Sequence, residues 1–254
     1  MYMDKFRLDG KIAVITGGSR GIGREIALGF AEQGAHLVIT ARKPGPLEAV
    51  AEEVRRHGVQ CLPVVCHVGK PDQIRSLFEK VMQTHGRVDI LVNNAATNPF
   101  FGPVMEIDEG LWDKTVEVNL KGAFLMSQAA ARVMVQKGGG SIVNIASVAA
   151  FAAAPMQGVY GITKAGLVMM TRVFAKELAS SRVRVNAICP TLTDTKFSQM
   201  LIETKEIYEI AVQMIPMRRH AQPQEMVGAA IYLASDAASF VTGTCITVDG
   251  GMTA

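Results

Sequence analysis

The chain has 254 residues, of which 49% are hydrophobic and 19% charged, with a formal net charge of +3. This composition excludes a disordered chain, and so small a charge without a Lys/Arg run gives no indication of a nucleic-acid partner. None of the four cysteines forms a C-x-x-C pair and no histidine lies at metal-ligand spacing, so we expect no metal site and a reduced, cytoplasmic protein. No apolar run reaches the roughly 18 residues that a membrane span requires, and residues 1–10 do not resemble a signal peptide.

Apolar, β-rich runs alternate with helical patterns along the chain. This alternation predicts parallel strands joined by right-handed crossovers, hence a doubly wound, Rossmann-type α/β sheet of about seven strands with helices on both faces. No linker divides residues 1–254, which are therefore predicted to form a single domain; residues 191–217 are predicted to form a small helical lid or, alternatively, a surface hairpin without a role. The strands are predicted at Ile12–Thr16, Leu37–Thr40, Gln60–Val65, Ile90–Val92, Ser141–Ile145, Arg184–Ile188 and Cys245–Val248, and the helices at Ile22–Gln33, Pro46–His57, Pro71–His85, Trp112–Gln136 and Gly158–Ser180.

A glycine-rich turn, Thr16-Gly17-Gly18-Ser19-Arg20-Gly21-Ile22-Gly23, follows the first strand and opens the first helix. Glycines in this context allow a tight turn and a close approach of the backbone to a pyrophosphate, and the helix N-terminus supplies unpaired N–H groups. The turn therefore predicts a dinucleotide site, with a ligand-free turn as the alternative. The residues expected to contact the cofactor are Gly17, Ser19, Arg20, Gly21, Ile22 and Gly23.

The end of the second strand indicates which dinucleotide is bound. An acidic residue there would bind the ribose 2′-hydroxyl of NAD, whereas a basic one accommodates the 2′-phosphate of NADP. The chain has no acid at Thr40, Ala41 or Arg42, and Arg42 can form a two-cation clamp on that phosphate together with Arg20. NADP(H) is therefore predicted and NAD(H) is less favoured, with two solvated loop arginines as the alternative reading.

Tyr160 and Lys164 lie four residues apart in a predicted helix, and Tyr160 follows Ser147 by thirteen residues. A helix places residues i and i+4 on one face, so the Lys164 ammonium can lie beside the Tyr160 phenol. A free phenol has a pKa of about 10, and a neighbouring cation favours the phenolate, so Lys164 is predicted to lower the pKa of Tyr160. This pair, following the glycine-rich turn in the chain, indicates a nicotinamide-dependent carbonyl/alcohol oxidoreductase.

From Gly10 to about Met252 the chain resembles the single-domain form of the short-chain dehydrogenase/reductase family. The resemblance is carried by Thr16–Gly23, Asn93–Ala96, Asn119, Ser147, Tyr160-x-x-x-Lys164, Arg184-Val185-Asn186 and Val248–Gly251. It implies a catalytic tetrad of Asn119, Ser147, Tyr160 and Lys164. Tyr160 would exchange a proton with the substrate oxygen, and Ser147 would donate a hydrogen bond to that oxygen. Lys164 would also bind the nicotinamide ribose, and Asn119 would hold a water that relays protons.

The chain departs from the family pattern at several cofactor contacts. His67 stands where an Asp usually contacts adenine, and since a neutral imidazole can also accept a hydrogen bond, that role is expected to persist. Thr191 replaces the usual Gly after Pro190, and Ala96 replaces a more frequent Gly. The remaining cofactor-binding candidates are Val68, Asn94, Ala95, Pro190, Thr193 and Thr195, with Tyr160 and Lys164 at the nicotinamide.

Residues 66–70, 94–102 and 112–115 carry a narrower resemblance to animal NADPH-dependent carbonyl and retinal reductases of the family, which implies a small-molecule carbonyl or alcohol substrate. Bacterial 3-oxoacyl-carrier-protein reductases are the next resemblance, and the alternative outside enzymes is a non-catalytic NADP-sensing protein, which has no need of a Tyr–Lys pair. An acyl carrier protein is acidic, and Arg132, Lys137 and Lys176 would offer it a basic surface unless they are solvated helix charges. The apolar candidates for the substrate pocket are Phe100, Phe101, Phe151, Pro155, Met156, Phe197, Met200 and Leu201.

The two long predicted helices, Trp112–Gln136 and Gly158–Ser180, carry more apolar residues than one sheet can cover. The excess is expected to meet a second copy across a two-fold axis. We therefore predict a homotetramer, with a dimer as the fallback.

Overall fold

The structure, a computed structural model, describes residues 2–153 and 155–254. Over these residues the strands are β1 Ile12–Thr16, β2 His36–Ala41, β3 Cys61–Val65, β4 Ile90–Asn93, β5 Gly140–Ile145, β6 Val183–Pro190 and β7 Cys245–Val248. They form one sheet in the order β3-β2-β1-β4-β5-β6-β7, and every neighbouring pair is parallel. The doubly wound, Rossmann-type fold predicted from the sequence is confirmed.

Helices connect successive strands and cover both faces of the sheet. None of the helices described has the length and apolar character needed to cross a membrane. The predicted lid, residues 191–217, contains two of them, Gln199–Glu203 and Lys205–Gln213. The helices are α1 Gly21–Glu32, α2 Pro44–Arg55, α3 Pro71–His85, α4 Glu109–Val116, α5 Ala123–Gln136, α6 Gly158–Leu178, α7 Gln199–Glu203, α8 Lys205–Gln213 and α9 Val227–Ala234.

Alternation of side chains along the strands produces two apolar cores, one on each face of the sheet. In β1 all five residues are buried: Ala13 and Ile15 pack into one core with α1, α2 and α9, and Ile12 and Val14 pack into the other with α3 and α5. Because the central strands are buried on both faces, their sequences are continuously apolar. This is why they could be recognised as parallel strands.

Residues 112–136 are helical throughout, as predicted from the sequence, but they are not one uniform α-helix. Residues 109–136 instead form α4, a π-helical segment at Glu117–Gly122, and α5. Gly122 packs closely on the segment between β3 and α3, and a Cβ on Gly122 would lie 2.7 Å from the Val68 carbonyl oxygen. A π-helical turn adds one residue to the helical hydrogen-bond ladder, and the apolar periodicity of this region gives no indication of it.

Other predicted elements agree in type and differ at their ends. For example, α2 begins at Pro44 rather than at Pro46. Both prolines lie in the first turn, where backbone N–H groups have no partner within the helix, so neither residue interrupts it. That residues 1–254 act as a single catalytic domain stays a prediction.

Candidate active site

A cleft of about 770 Å³ opens at the carboxyl ends of β1, β4, β5 and β6. The chain leaves β1 toward β2 on one side and returns at β4 on the other, so the strand order reverses between β1 and β4. Open α/β sheets bind ligands at such a reversal. The cleft is therefore where the fold favours a cofactor.

Hydrogen bonds between the end of β1 and the residues after β4 hold the two strands together where the strand order reverses. Thr16 Oγ1 accepts from the amides of Asn94 and Ala95 at 2.9 and 3.0 Å. The Asn94 side-chain amide donates to the carbonyls of Thr16 and Gly17 at 2.9 and 3.2 Å. These bonds hold the residue after β4 against the end of β1.

The glycine-rich turn has the shape that a dinucleotide requires. Gly17 and Gly21 have φ of 67° and 54°, a region that favours glycine. A Cβ on Gly17 would lie 2.8 Å from Asn94 Nδ2, and one on Gly21 would lie 3.2 Å from Thr195 Cγ2. The bare backbone and the amides at the start of α1 therefore face the cleft and can approach a pyrophosphate.

Gly23 does not line the cleft, contrary to its prediction as a direct contact. It is buried in α1, where a Cβ would lie 2.4 Å from Asn94 Nδ2 and 2.5 Å from the Gly17 carbonyl oxygen. Gly23 thus brings the helix close to the turn behind the site. All the other predicted cofactor-binding residues line the cleft, namely Gly17, Ser19, Arg20, Gly21, Ile22, Arg42, His67, Val68, Asn94, Ala95, Tyr160, Lys164, Pro190, Thr193 and Thr195.

Cations dominate the charge of the cleft. Arg20, which precedes α1, and Arg42, which follows β2, line the same end. Sequence reasoning missed three further lining lysines, Lys43, Lys114 and Lys196. Lys43 directly follows Arg42 and could have been predicted from the sequence. Lys114 could not, because only the position of α4 in the fold brings it to the cleft. Within the described residues no Asp or Glu lines the cleft, so it favours anionic ligands.

Three of the four predicted catalytic side chains meet just beyond β5. Ser147 follows this strand, whereas Tyr160 and Lys164 lie on successive turns of α6. Tyr160 shares a hydrogen bond with Ser147, and Lys164 Nζ lies 5.5 Å from the centre of the Tyr160 ring. Lys164 is 3% exposed and donates to the Ile145 carbonyl at 2.7 Å. Two hydroxyl groups and one ammonium are therefore gathered at one wall of the cleft.

Burial dominates the acid–base behaviour of this group. It raises the pKa of the Tyr160 phenol to about 12, although the hydrogen bond with Ser147 acts in the opposite direction. It also lowers the pKa of the Lys164 ammonium to about 8. The pKa of Tyr160 is therefore raised and not lowered overall, because the loss of hydration is the largest influence on it; that Lys164 favours the phenolate stays a prediction. At neutral pH Tyr160 keeps its proton.

Asn119, the fourth predicted catalytic residue, lies outside the cleft lining. It belongs to the π-helical segment and is 2% exposed. Its Oδ1 accepts from the Thr97 amide at 2.8 Å, and its Nδ2 donates to the Thr97 carbonyl at 2.8 Å and to Thr163 Oγ1 at 3.2 Å. The side chain is thus occupied by protein partners, which differs from the expected role of holding a water.

His67 does line the cleft, but its acceptor nitrogen is already in use. Nδ1 accepts from the Gly69 amide at 3.0 Å. A neutral imidazole has only one acceptor nitrogen. The expectation that His67 accepts a hydrogen bond from adenine is therefore wrong.

The wall beyond Tyr160 is largely apolar and comes from the connection between β5 and α6, the lid and the C-terminal segment. The Phe197 ring lies 5.5 Å from the Tyr160 ring, centre to centre. Of the predicted pocket residues, Pro155, Phe197 and Leu201 line the cleft, joined by Ala152, Ala211, Met214 and Met252. The predicted Phe100, Phe101, Phe151, Met156 and Met200 do not line it.

Thr191, which replaces the usual glycine, connects the start of the lid to the C-terminal segment. Its Oγ1 lies 3.0 Å from Met252 Sδ, and its carbonyl accepts from Thr193 Oγ1 at 2.9 Å. The substitution therefore adds a contact at the substrate end of the cleft.

Comparisons with known proteins extend over nearly the whole chain. A family model described as enoyl-(acyl carrier protein) reductase matches residues 17–253. Dehydrogenase/reductase SDR family member 4 of Oryctolagus cuniculus is 40% identical over 244 residues, 96% of this chain and 94% of that protein. The 3-oxoacyl-acyl-carrier-protein reductase of Thermotoga maritima is 38% identical over 246 residues, 97% of this chain and 99% of that protein.

A solved structure shares both the fold and the sequence. The gluconate 5-dehydrogenase from Burkholderia cenocepacia, in complex with NADP and tartrate, has a TM-score of 0.95 and 35% identity, covering 100% of this chain and 99% of that chain. The aligned regions include the glycine-rich turn as well as the segment with Ser147, Tyr160 and Lys164. The chain therefore belongs to the short-chain dehydrogenase/reductase family and is an oxidoreductase that interconverts alcohols and carbonyls with a nicotinamide dinucleotide.

Proposed function

We propose that this oxidoreductase prefers NADP(H) and acts on an apolar small-molecule carbonyl or alcohol, with Tyr160 as the acid and base. The observation that carries the proposal is the grouping of Ser147, Tyr160 and Lys164 at one wall of the cleft. A proton donor, a second hydrogen-bond donor and a cation are what carbonyl reduction requires of a protein.

The proton chemistry follows from the surroundings of each group. When bound, NADP(H) supplies or takes the hydride. Tyr160, protonated at neutral pH because burial raises its pKa, donates its proton to the carbonyl oxygen. Ser147 Oγ accepts from the Ala149 amide at 3.2 Å, and its O–H can turn from Tyr160 to donate to the same oxygen. The buried Lys164 ammonium stabilises the phenolate that remains, and oxidation of an alcohol reverses these transfers.

Asn119 acts through its neighbours in this proposal. By binding both backbone groups of Thr97, it fixes a segment that lines the cleft, and through Thr163 it joins that segment to α6. We assign it as a positioning residue for the wall that faces Tyr160.

The preference for NADP(H) rests on charge. Arg20, Arg42 and Lys43 line the end of the cleft beyond β2, where the ribose 2′ position of a dinucleotide lies in this fold. The exposed cations match a phosphate, and a 2′-hydroxyl would lack the acidic partner that NAD-dependent sites provide.

A substrate panel tests the proposal directly. Ketones, diketones and acetoacetyl thioesters with NADPH, and alcohols with NADP, should reveal turnover that Tyr160→Phe lowers at least ~100-fold. Tyr208→Phe is the matched control, because Tyr208 bonds His220 and does not line the cleft. Turnover by Tyr160→Phe within a few-fold of the parent, with its best ketone, would show that Tyr160 is not the acid.

A second candidate is 3-oxoacyl-acyl-carrier-protein reduction, which the Thermotoga relative favours. Arg132, Lys137 and Lys176 are exposed on α5 and α6 or just after α5 and suit an acidic carrier. Kinetics with acetoacetyl-acyl-carrier-protein and with acetoacetyl-coenzyme A distinguish this candidate from a small-molecule reductase. A carrier-specific enzyme should have a much lower KM for the carrier-bound substrate. A non-catalytic NADP sensor is the least favoured alternative and would give no turnover with any substrate.

We further propose a cytoplasmic homotetramer. Phe124 and Val135 on α5 and Met169 and Val173 on α6 are between 41% and 56% exposed, which is unusual for large apolar residues on neighbouring helices. Other apolar residues counted in the prediction, such as Met134, are buried within the chain. Light scattering at micromolar concentration should give a multiple of 27.3 kDa; a monomer mass would contradict assembly through these helices.

A further inference from the structure

Gln157 lines the cleft but has no part in the reaction proposed above. It directly precedes α6, and its carbonyl accepts from the Gly161 amide at 2.8 Å, which fixes its backbone to the first turn of the helix. Its side chain does not cap the helix, and none of the described residues bonds to its amide group. The amide therefore keeps two donors and an acceptor for a ligand.

The amide lies beside the reacting group in largely apolar surroundings. Gln157 precedes Tyr160 by three residues, and at this spacing in a helix the Cβ atoms are about 5–6 Å apart. Helical side chains lean toward the N-terminus, so the Tyr160 phenol leans toward the turn that Gln157 begins. The apolar wall beyond Tyr160 includes Pro155, Phe197 and Leu201, whose side chains have no hydrogen-bonding group.

We propose that Gln157 selects carbonyl compounds that carry a second oxygen one or two carbons from the reacting carbon, namely diketones and hydroxyketones. This substrate class rests on the reaction proposed above. Since Gln157 and Tyr160 start about 5–6 Å apart, the oxygens they bind must be near neighbours in one small molecule. A second carbonyl can accept from Gln157 Nε2, and a hydroxyl can donate to Oε1.

The same amide disfavours a ketone without the second oxygen. A methylene at that position excludes water from Gln157 and offers no hydrogen bond in return, so the amide is left unpaired in the complex. Sites built to bond a polar group reject analogues that lack it for this reason. Gln157 thereby favours bifunctional over monofunctional carbonyl compounds.

Kinetics with 2-pentanone, 2,3-pentanedione and 2,4-pentanedione test the proposal, because the three share one carbon chain and differ only in the second carbonyl. Gln157→Met keeps the length of the side chain and removes the amide. With NADPH, it should lower kcat/KM about 10-fold for at least one diketone, the effect of one hydrogen bond, and change that for 2-pentanone less than about 3-fold. Gln224→Met is the matched control, since Gln224 is exposed and does not line the cleft.

Each ketone is compared between parent and variant, so the greater intrinsic reactivity of diketones cancels. Where the parent prefers a larger ketone from the panel above, the three compounds are built on that carbon chain. An equal change for all three ketones, or no change for any, would overturn the inference and leave the proposed reaction standing. Absence of turnover by the parent with every ketone would overturn both. Thermal unfolding shows that each variant is folded, and Gln157→Leu replaces Gln157→Met if the latter is not.

Discussion

Replacement of Asn119 by alanine should destabilise the protein as well as slow it. Asn119 is 2% exposed and makes three side-chain hydrogen bonds, two of them to the backbone of Thr97. Asn119→Ala leaves the Thr97 amide and carbonyl without these partners, and a buried polar group left unpaired costs about 1–3 kcal/mol. Since Thr97 is only half-buried, we expect a loss of about 2–4 kcal/mol in the free energy of unfolding, which corresponds to about 5–10 °C in Tm for a chain of this size.

Thermal denaturation at fixed protein concentration measures the loss. Thr163→Val is the matched control, because it keeps both bonds between Asn119 and Thr97 and removes only the bonds of the Thr163 hydroxyl, one from Asn119 at 3.2 Å and one to the Tyr160 carbonyl at 2.8 Å; it should cost about 1–2 kcal/mol. Asn119→Asp should behave like the alanine variant although it keeps the acceptor for the Thr97 amide, because it places a carboxylate against the Thr97 carbonyl. An Asn119→Ala protein that loses activity while its Tm stays at the parent value would refute the reasoning and restore a role limited to holding a water.

Three further perturbations have defined outcomes. Arg42→Asp should shift the ratio of kcat/KM for NADPH over NADH by ~10-fold or more toward NADH; equal use of both cofactors by the parent enzyme would contradict the clamp. Gly23→Ala should abolish NADPH binding in a calorimetric titration, because its Cβ would lie 2.4 Å from Asn94 Nδ2, whereas Gly228→Ala, with nothing within 4 Å, should bind normally. Burial lowers the pKa of Lys164 from 10.5 to about 8, so between these pH values the unfolded state binds a proton that the native state has released. The free energy of unfolding of the parent protein, compared with that of Lys164→Met, should therefore rise by about 2 kcal/mol from pH 8 to pH 10. A parallel pH dependence of the two proteins would show that Lys164 titrates normally.

Features set by local sequence could be predicted well. The strands β1 and β4 are continuously apolar because both faces are buried, and the glycine-rich turn lies between a strand and a helix whatever the rest of the chain does. Tyr160 and Lys164 share a helical face at any i, i+4 spacing. Short stretches of sequence are therefore enough to predict the fold and the approach of Tyr160 and Lys164 to Ser147 at the end of β5.

Features set by distant partners could not be predicted. Asn119 meets Thr97 and Thr163, which lie 22 and 44 residues away, and no periodicity reports such bonds. The pKa of Tyr160 depends on how deeply the cleft buries the phenol, which overrides the helical neighbour that the sequence reveals. The role of His67 depends on the direction in which its ring faces, and the Gly69 amide fixes that.

The hydrogen bonds of Thr16 also determine at which stage of folding the cofactor site can form. Its hydroxyl joins β1 to the residues after β4 across 78 and 79 residues of chain, so the glycine-rich turn reaches its final shape only after a large loop has closed. Closure of distant segments is slow and must precede the contacts that reward it. A nascent chain that has exposed only the residues before β4 therefore holds the phosphate-binding turn in its sequence without a site that can bind the dinucleotide. The cofactor can stabilise this protein only late in folding, as a ligand of the completed sheet.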